Sequence, residues 1–129
     1  MKRFSYAILT FAGIILTAYI ILQAFLGPPV ITVINKASSA VSNVVLYDDD
    51  YRTIIPKIAP GESVTVVVHP RGESGIQIQF SSPTGLKSLD DLAYIEESGG
   101  YCYNLIILDN YTVKADFINI GCFSWRRIV

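Results

Sequence analysis

Histidine occurs once in the 129 residues, at His69, methionine only as Met1, tryptophan only as Trp125, and cysteine only at Cys102 and Cys122. With one imidazole, a single chain builds neither a histidine-based zinc cluster nor the two-histidine copper site of a blue-copper sandwich. Cys102, Cys122 and His69 together supply three of the four ligands that a closed zinc tetrahedron takes, so no metal and no cofactor is expected.

Catalytic constellations are also missing. Neither Gly61-Glu62-Ser63-Val64-Thr65 nor Gly72-Glu73-Ser74-Gly75 has the G-x-S-x-G order of a nucleophile elbow. The loop Pro70-Arg71-Gly72-Glu73-Ser74-Gly75 lacks both the lysine and the following helix of a phosphate-binding loop. Cys102 sits between Tyr101 and Tyr103, with no neighbouring cation to lower its pKa. Asp48-Asp49-Asp50 places three carboxylates side by side, but without EF-hand spacing it reads as a solvated acidic turn, as do Asp90-Asp91 and Glu96-Glu97. No enzyme is expected.

Excess positive charge is absent as well. Beyond Lys2 and Arg3 the chain carries eight basic residues against eleven acidic ones, a net −3. Without a basic field, nucleic acid is excluded as a partner.

What the chain does have is one long uncharged run, residues 4–26, directly after Lys2 and Arg3 and directly before Gly27-Pro28-Pro29. As a helix rising ~1.5 Å per residue it covers the ~30 Å hydrocarbon core of a bilayer. Helix is required there, because backbone polar groups in lipid must bond within the segment. The basic pair favours the inserting side, which predicts a cytoplasmic N-terminus and a domain across the membrane, periplasmic or extracellular. A cleaved signal peptide is the rival, yet the hydrophobic region exceeds the usual ~7–15 residues and cleavage sites are poor. Leu22-Gln23-Ala24 puts a bulky residue where a small one belongs; a cut after Gly27 puts Phe25 there instead. Ser5, Thr10, Gly13, Thr17 and Gln23 are ordinary for a single span, and Gly13 has no GxxxG partner.

Residues 1–29 are thus read as anchor and short spacer, and 30–129 as one domain. Prolines 28 and 29 end the helix and push the chain into extended geometry. Strands are expected at 30–34, 41–47, 51–58, 63–69, 75–81 and 92–97, with a hairpin of 101–108 and 111–118 across Asp109-Asn110. Pro56 marks 51–58 as an edge strand; 86–91 is ambiguous. The run 63–69 is the strongest, and 75–81 alternates cleanly, with Ile76, Ile78 and Phe80 inward. Seven or eight short strands, with turns about every ten residues and no second helix, predict an all-β fold. We read it as an immunoglobulin-like or related antiparallel β-sandwich preceded by one transmembrane helix, with a closed barrel as the competing architecture.

The anchor places Cys102 and Cys122 where disulfides form. A two-residue turn at Asp109-Asn110, however, sets Cys102 opposite Phe117, five positions before Cys122, so a bond between them requires a bulge or a returning tail. Asn110-Tyr111-Thr112 is a glycosylation sequon on a turn, meaningful only in a eukaryotic secretory pathway. The tail holds Phe123, Trp125, Arg126 and Arg127, residue types enriched at binding hot spots. It reads either as a partner-binding segment or as a last strand with its arginines in water or against lipid headgroups. The expected function is a non-catalytic, membrane-anchored accessory or structural binding subunit of a membrane or envelope assembly. The alternative is a secreted binding protein or enzyme inhibitor, released by signal cleavage and acting through a loop such as 70–74.

Overall fold

A computed structural model describes residues 2–120; Cys122, Phe123, Trp125, Arg126 and Arg127 lie outside the described residues. It holds one helix, α1 (Lys2–Leu26), followed by eight strands: β1 (Val30–Asn35), β2 (Val41–Asp48), β3 (Tyr51–Ile58), β4 (Ser63–Val67), β5 (Glu73–Ser82), β6 (Gly85–Glu96), β7 (Tyr101–Ile107) and β8 (Val113–Ile120). None of the apolar span of α1 is buried against the strands, and the helix is long and apolar enough to cross a membrane. Its hydroxyls are already used: Thr10 donates to the Tyr6 carbonyl at 2.8 Å and Thr17 to that of Gly13 at 2.9 Å, which suits an apolar surrounding.

The strands form two four-stranded sheets, ordered β4-β1-β7-β8 and β3-β2-β5-β6. They stack as a sandwich, with β4 over β3 at one margin and β8 over β6 at the other. Between them lie Ile31, Val33, Leu105 and Ile107 from one sheet and Val44, Leu46, Ile55, Ile76, Ile78 and Phe80 from the other. The inward triplet Ile76, Ile78 and Phe80 follows directly from the period-two pattern.

The sheets are antiparallel except for β1 and β7, which run parallel with Val30 opposite Cys102. Both strands start at the same end of the sandwich, because Gly100, just before β7, donates its N–H to the carbonyl of Gly27, just before β1, at 3.1 Å. Entering from one end, they run the same way.

Three other departures from the sequence pattern have local causes. The 63–69 run is a strand only to Val67, on the sheet edge: its neighbour β1 begins after Pro28 and Pro29, and the last link is Val68 N–H to the Pro29 carbonyl at 3.1 Å. The ambiguous stretch 86–91 and the expected strand 92–97 are one strand, β6. Its register against β5 jumps between Ile76 and Ile78, and Asp91 takes a φ of 52°, so a bulge hides the alternation. In the β7–β8 hairpin the loop has three central residues: Tyr111 N–H bonds the Leu108 carbonyl at 2.8 Å, and Tyr111 itself is left-handed with a φ of 58°. Register therefore moves by one, pairing Tyr103 with Phe117; a second bulge, with Ile118 as the extra residue, then pairs Cys102 with Asn119. Pro56 lies on an edge strand as expected, since β3 closes its sheet.

Candidate functional site at the helix-side end

The end of the sandwich that receives α1 collects most of the chemistry-bearing side chains. Its first feature is the junction itself. Residues 27 and 29 are buried, and their carbonyls bond Gly100 and Val68 of the domain. The spacer is thus part of the sheet system, and the domain begins within a residue of the helix.

The second feature is a clasp built on the Asp48-Asp49-Asp50 turn. The Oδ2 of Asp48 accepts from the Gly75 N–H at 2.6 Å and the Ser74 hydroxyl at 2.7 Å, while Oδ1 accepts from Gln77 Nε2 at 3.1 Å. Asp50 accepts from the Arg71 N–H at 2.9 Å and shares the Ser74 hydroxyl at 3.0 Å. Tyr51 completes the set by donating to the Gly75 carbonyl at 2.8 Å. These carboxylates are spent on the β4–β5 connection, a role that an acidic tripeptide does not disclose because its partners lie more than twenty residues away. Ser74 is buried and acts as a donor to carboxylates, whereas His69 stands exposed beyond β4; the two make no nucleophile-base pair.

Hydrogen bonds from the Gly75 amide, and next from Ser74, hold the Asp48 carboxyl below its ordinary value against a smaller opposing effect of burial. Burial, then the charges of Asp48 and Asp50, push the Tyr51 phenol upward, so it stays protonated as a donor. A carboxyl with a depressed pKa adds stability that is complete above its unfolded value of about 3.9 and is lost as pH falls through the folded value. Asp48→Asn is therefore expected to cost about 1–2 kcal/mol at neutral pH, a modest figure because the carboxylate is largely solvated. The same variant flattens the acid limb below about pH 4. Urea unfolding of variant and parent at pH 7 and pH 3 checks both; equal stability at pH 7 removes the clasp from the account.

Around the clasp lies an open depression of ≈ 500 Å³ lined by Tyr47, Asp48, Asp49, Asp50, Tyr51, Arg52 and Arg71. Arg71 is exposed on a connection held at both flanks, by Asp50 on its own N–H and by Glu97 N–H on the Gly72 carbonyl at 3.0 Å. Glu73, Glu96 and Glu97 line a smaller acidic hollow beside it. Among the described residues no group of three or more His, Cys, Asp or Glu is arranged to hold a metal ion.

The third feature is aromatic. Where β8 faces β6 the sandwich stands open, and Tyr101 and Tyr103 stack at 6.5 Å between ring centroids while Phe117 meets Tyr103 edge-on at 5.3 Å. Tyr94 meets Tyr101 edge-on at 6.4 Å, and Tyr103 donates to the Tyr94 carbonyl at 2.8 Å. Phe117 remains 51 % exposed and Tyr94 45 %, on strands that end their sheets. The alternation of β8 puts Val113, Ala115 and Phe117 on one side, but a local period does not show that Phe117 stays exposed at the margin.

Of the sequence-derived site residues, Cys102 is described, 4 % exposed and disulfide-bonded. Cys122, Phe123, Trp125, Arg126 and Arg127 are outside the described residues. No protein-family model, no curated protein and no solved structure matches this chain.

Proposed function

We propose that this chain is a single-pass membrane protein with a cytoplasmic N-terminus, whose β-domain is held against the outer face and binds a protein partner within a membrane or envelope assembly. The observation that carries the reading is the stitched junction: carbonyls of residues 27 and 29 bonded into the domain give it a fixed height and orientation over the helix. A free tether suits a domain that searches; a built-in one suits a fixed position in an assembly. The partner surface we favour is the open β6–β8 margin, where a strand edge unpaired among the described residues lies beside exposed Phe117, Ile118 and Tyr94. Binding without catalysis accords with carboxylates committed to the clasp and tyrosines whose protons are held.

Within the sandwich class we favour a related fold over an immunoglobulin-like one. Immunoglobulin constant domains join their first, second, fifth and fourth strands in one sheet, whereas here β2, β3, β5 and β6 share one.

Two measurements test the proposal. The full-length chain, expressed in its own type of host, is expected to resist carbonate extraction at the intact mass of the uncleaved chain; a truncated, soluble product would overturn the anchor. Photocrosslinking from Phe117 in membranes is expected to capture a protein in a discrete band, and repeated recovery of the chain alone would overturn the binding role. A second reading rests on Arg71: an exposed arginine on a connection clamped at both flanks is the form of a protease-inhibiting loop. That secreted alternative gains only if the truncated product is found.

A further inference from the structure

We propose that the depression beside the clasp holds a zwitterionic lipid headgroup, phosphoethanolamine, with Arg52 and Arg71 on its phosphate and Asp49 on its ammonium. The inference goes beyond partner binding and rests on the anchor reading above. What carries it is charge left unpaired. Asp48 and Asp50 are spent on the β4–β5 connection, but the Asp49 carboxylate between them takes no part in the clasp. Among the described residues the one ion pair joins Lys114 to Asp116, so Arg52 and Arg71 line the same depression without a carboxylate of their own. Opposite charges held apart around one hollow of ≈ 500 Å³ suit a ligand that carries both signs.

The depression also lies at the level of such a headgroup. The 25 residues of α1 extend ~37 Å, more than a ~30 Å hydrocarbon core, which brings residue 27 into the headgroup region. The bonds from Gly27 to Gly100 and from Pro29 to Val68 then keep the helix-side end of the domain against that layer. Arg71 follows Val68 by three residues, no more than ~11 Å of chain, and its N–H is tied to Asp50 at 2.9 Å. Arg52, in the second position of β3, stands opposite Tyr47 of β2 on the same rim. A helix with its side chains is ~10–12 Å across, so the lipids lying against α1 are the ones within reach.

Charge then selects among headgroups. Six carboxylates line this depression and the smaller hollow beside it, against two arginines, so an anionic headgroup meets net repulsion. Guanidinium groups take phosphate oxygens in a planar fork, which every phospholipid satisfies. The carboxylate makes the finer distinction. Choline has no N–H to give it, whereas the primary ammonium of ethanolamine donates from every N–H. Phosphoethanolamine is the headgroup that answers both sides of the depression.

Native mass spectrometry of the full-length chain tests this, from mixed micelles holding equal amounts of phosphatidylethanolamine, phosphatidylcholine and phosphatidylglycerol with the same acyl chains. The one-lipid adduct is expected to be several-fold richer in phosphatidylethanolamine than in either of the others. Asp49→Asn is expected to remove the preference over phosphatidylcholine, and Arg52→Gln with Arg71→Gln to lower both adducts. All three positions are exposed, so the melting midpoint stays with the parent and shows that the fold is intact. Equal adducts of the three lipids, or variants that keep the parent's preference, overturn the inference. Glycerophosphoethanolamine, the same headgroup without acyl chains, is expected to bind at least ~10-fold more weakly, because α1 gathers lipid beside the depression. Binding as tight as the lipid's assigns the depression to a soluble ligand and overturns the inference too. Flotation with vesicles reads the anchor separately: a floating chain without the lipid preference refutes this inference alone, and a chain that fails to float refutes the anchor reading and this inference together.

Discussion

Replacing Asn35 by alanine is expected to lower the stability of the domain by about 3 kcal/mol, from the unmet hydrogen-bonding groups it leaves behind. Asn35 ends β1 with 0 % exposure. Its amide nitrogen donates to the carbonyls of Ser39 at 2.9 Å and Ile58 at 3.0 Å, and its side-chain oxygen accepts the Ala37 N–H at 3.0 Å. Its backbone is engaged too: the N–H bonds the Glu62 carbonyl at 3.0 Å and the carbonyl accepts from Gly61 at 2.7 Å. One side chain thus joins the ends of β1 and β3 to the 36–40 connection at the far end of the sandwich. Alanine strands two buried partners and one half-buried one, each costing about 1–3 kcal/mol less whatever relaxation recovers. Asn35→Asp keeps the acceptor for Ala37 but turns a charge toward two carbonyls, and is expected to be at least as harmful above about pH 5. For a domain of about a hundred residues, the alanine variant shifts the melting midpoint by roughly 10–20 °C. Lys57→Ala, an exposed position on the β3 edge, serves as control and stays within about 0.5 kcal/mol. A midpoint for Asn35→Ala matching that control would remove the hub from the account.

The contrast between Asn35 and its neighbours shows what the amino-acid pattern carries. The uncharged run, the β-branched runs and the strict alternation of Gln77 and Gln79 with Ile76, Ile78 and Phe80 are local signals, and they give α1 and most strands to within a residue or two. Pro56 was informative for the same reason: what it cannot donate depends on its own ring. Asn35, in contrast, reads as one member of a polar break, because its worth lies in Ile58, twenty-three residues on. Asp48 and Asp50 read as a solvated turn because Ser74, Gly75 and Gln77 are equally remote. Bulges escape for a different reason. Asn43, with a φ of 49°, lets Val41 and Val44 share the core, and Asp91 interrupts β6; a left-handed residue shifts the phase of an alternation without changing its composition. The parallel pairing of β1 with β7 depends on where two connections meet in space, which no local period encodes.

Cys102→Ser, or reduction of the native chain, is expected to destabilise the domain by about 3 kcal/mol, the chain-entropy value for closing a loop of about twenty residues. Cys122 is the only other cysteine in the sequence, and the β7–β8 register bears on that pairing. The three-residue loop and the bulge at Ile118, each shifting the register by one, together set Cys102 opposite Asn119, three positions before Cys122 instead of the five expected from a two-residue turn. Cys102 is 4 % exposed, and Val30 opposite it on β1 is 5 % exposed, although both lie on the face of their sheet away from the core. The bond therefore belongs to the corner where helix, first strand and last strand meet. Single and double variants separate cross-link from packing. If the bond joins Cys102 to Cys122, then Cys122→Ser costs nearly what Cys102→Ser does, and the double variant costs little more than either. The parent, and only the parent, gains two mass units on reduction. A Cys122→Ser chain as stable as the parent would break the pairing.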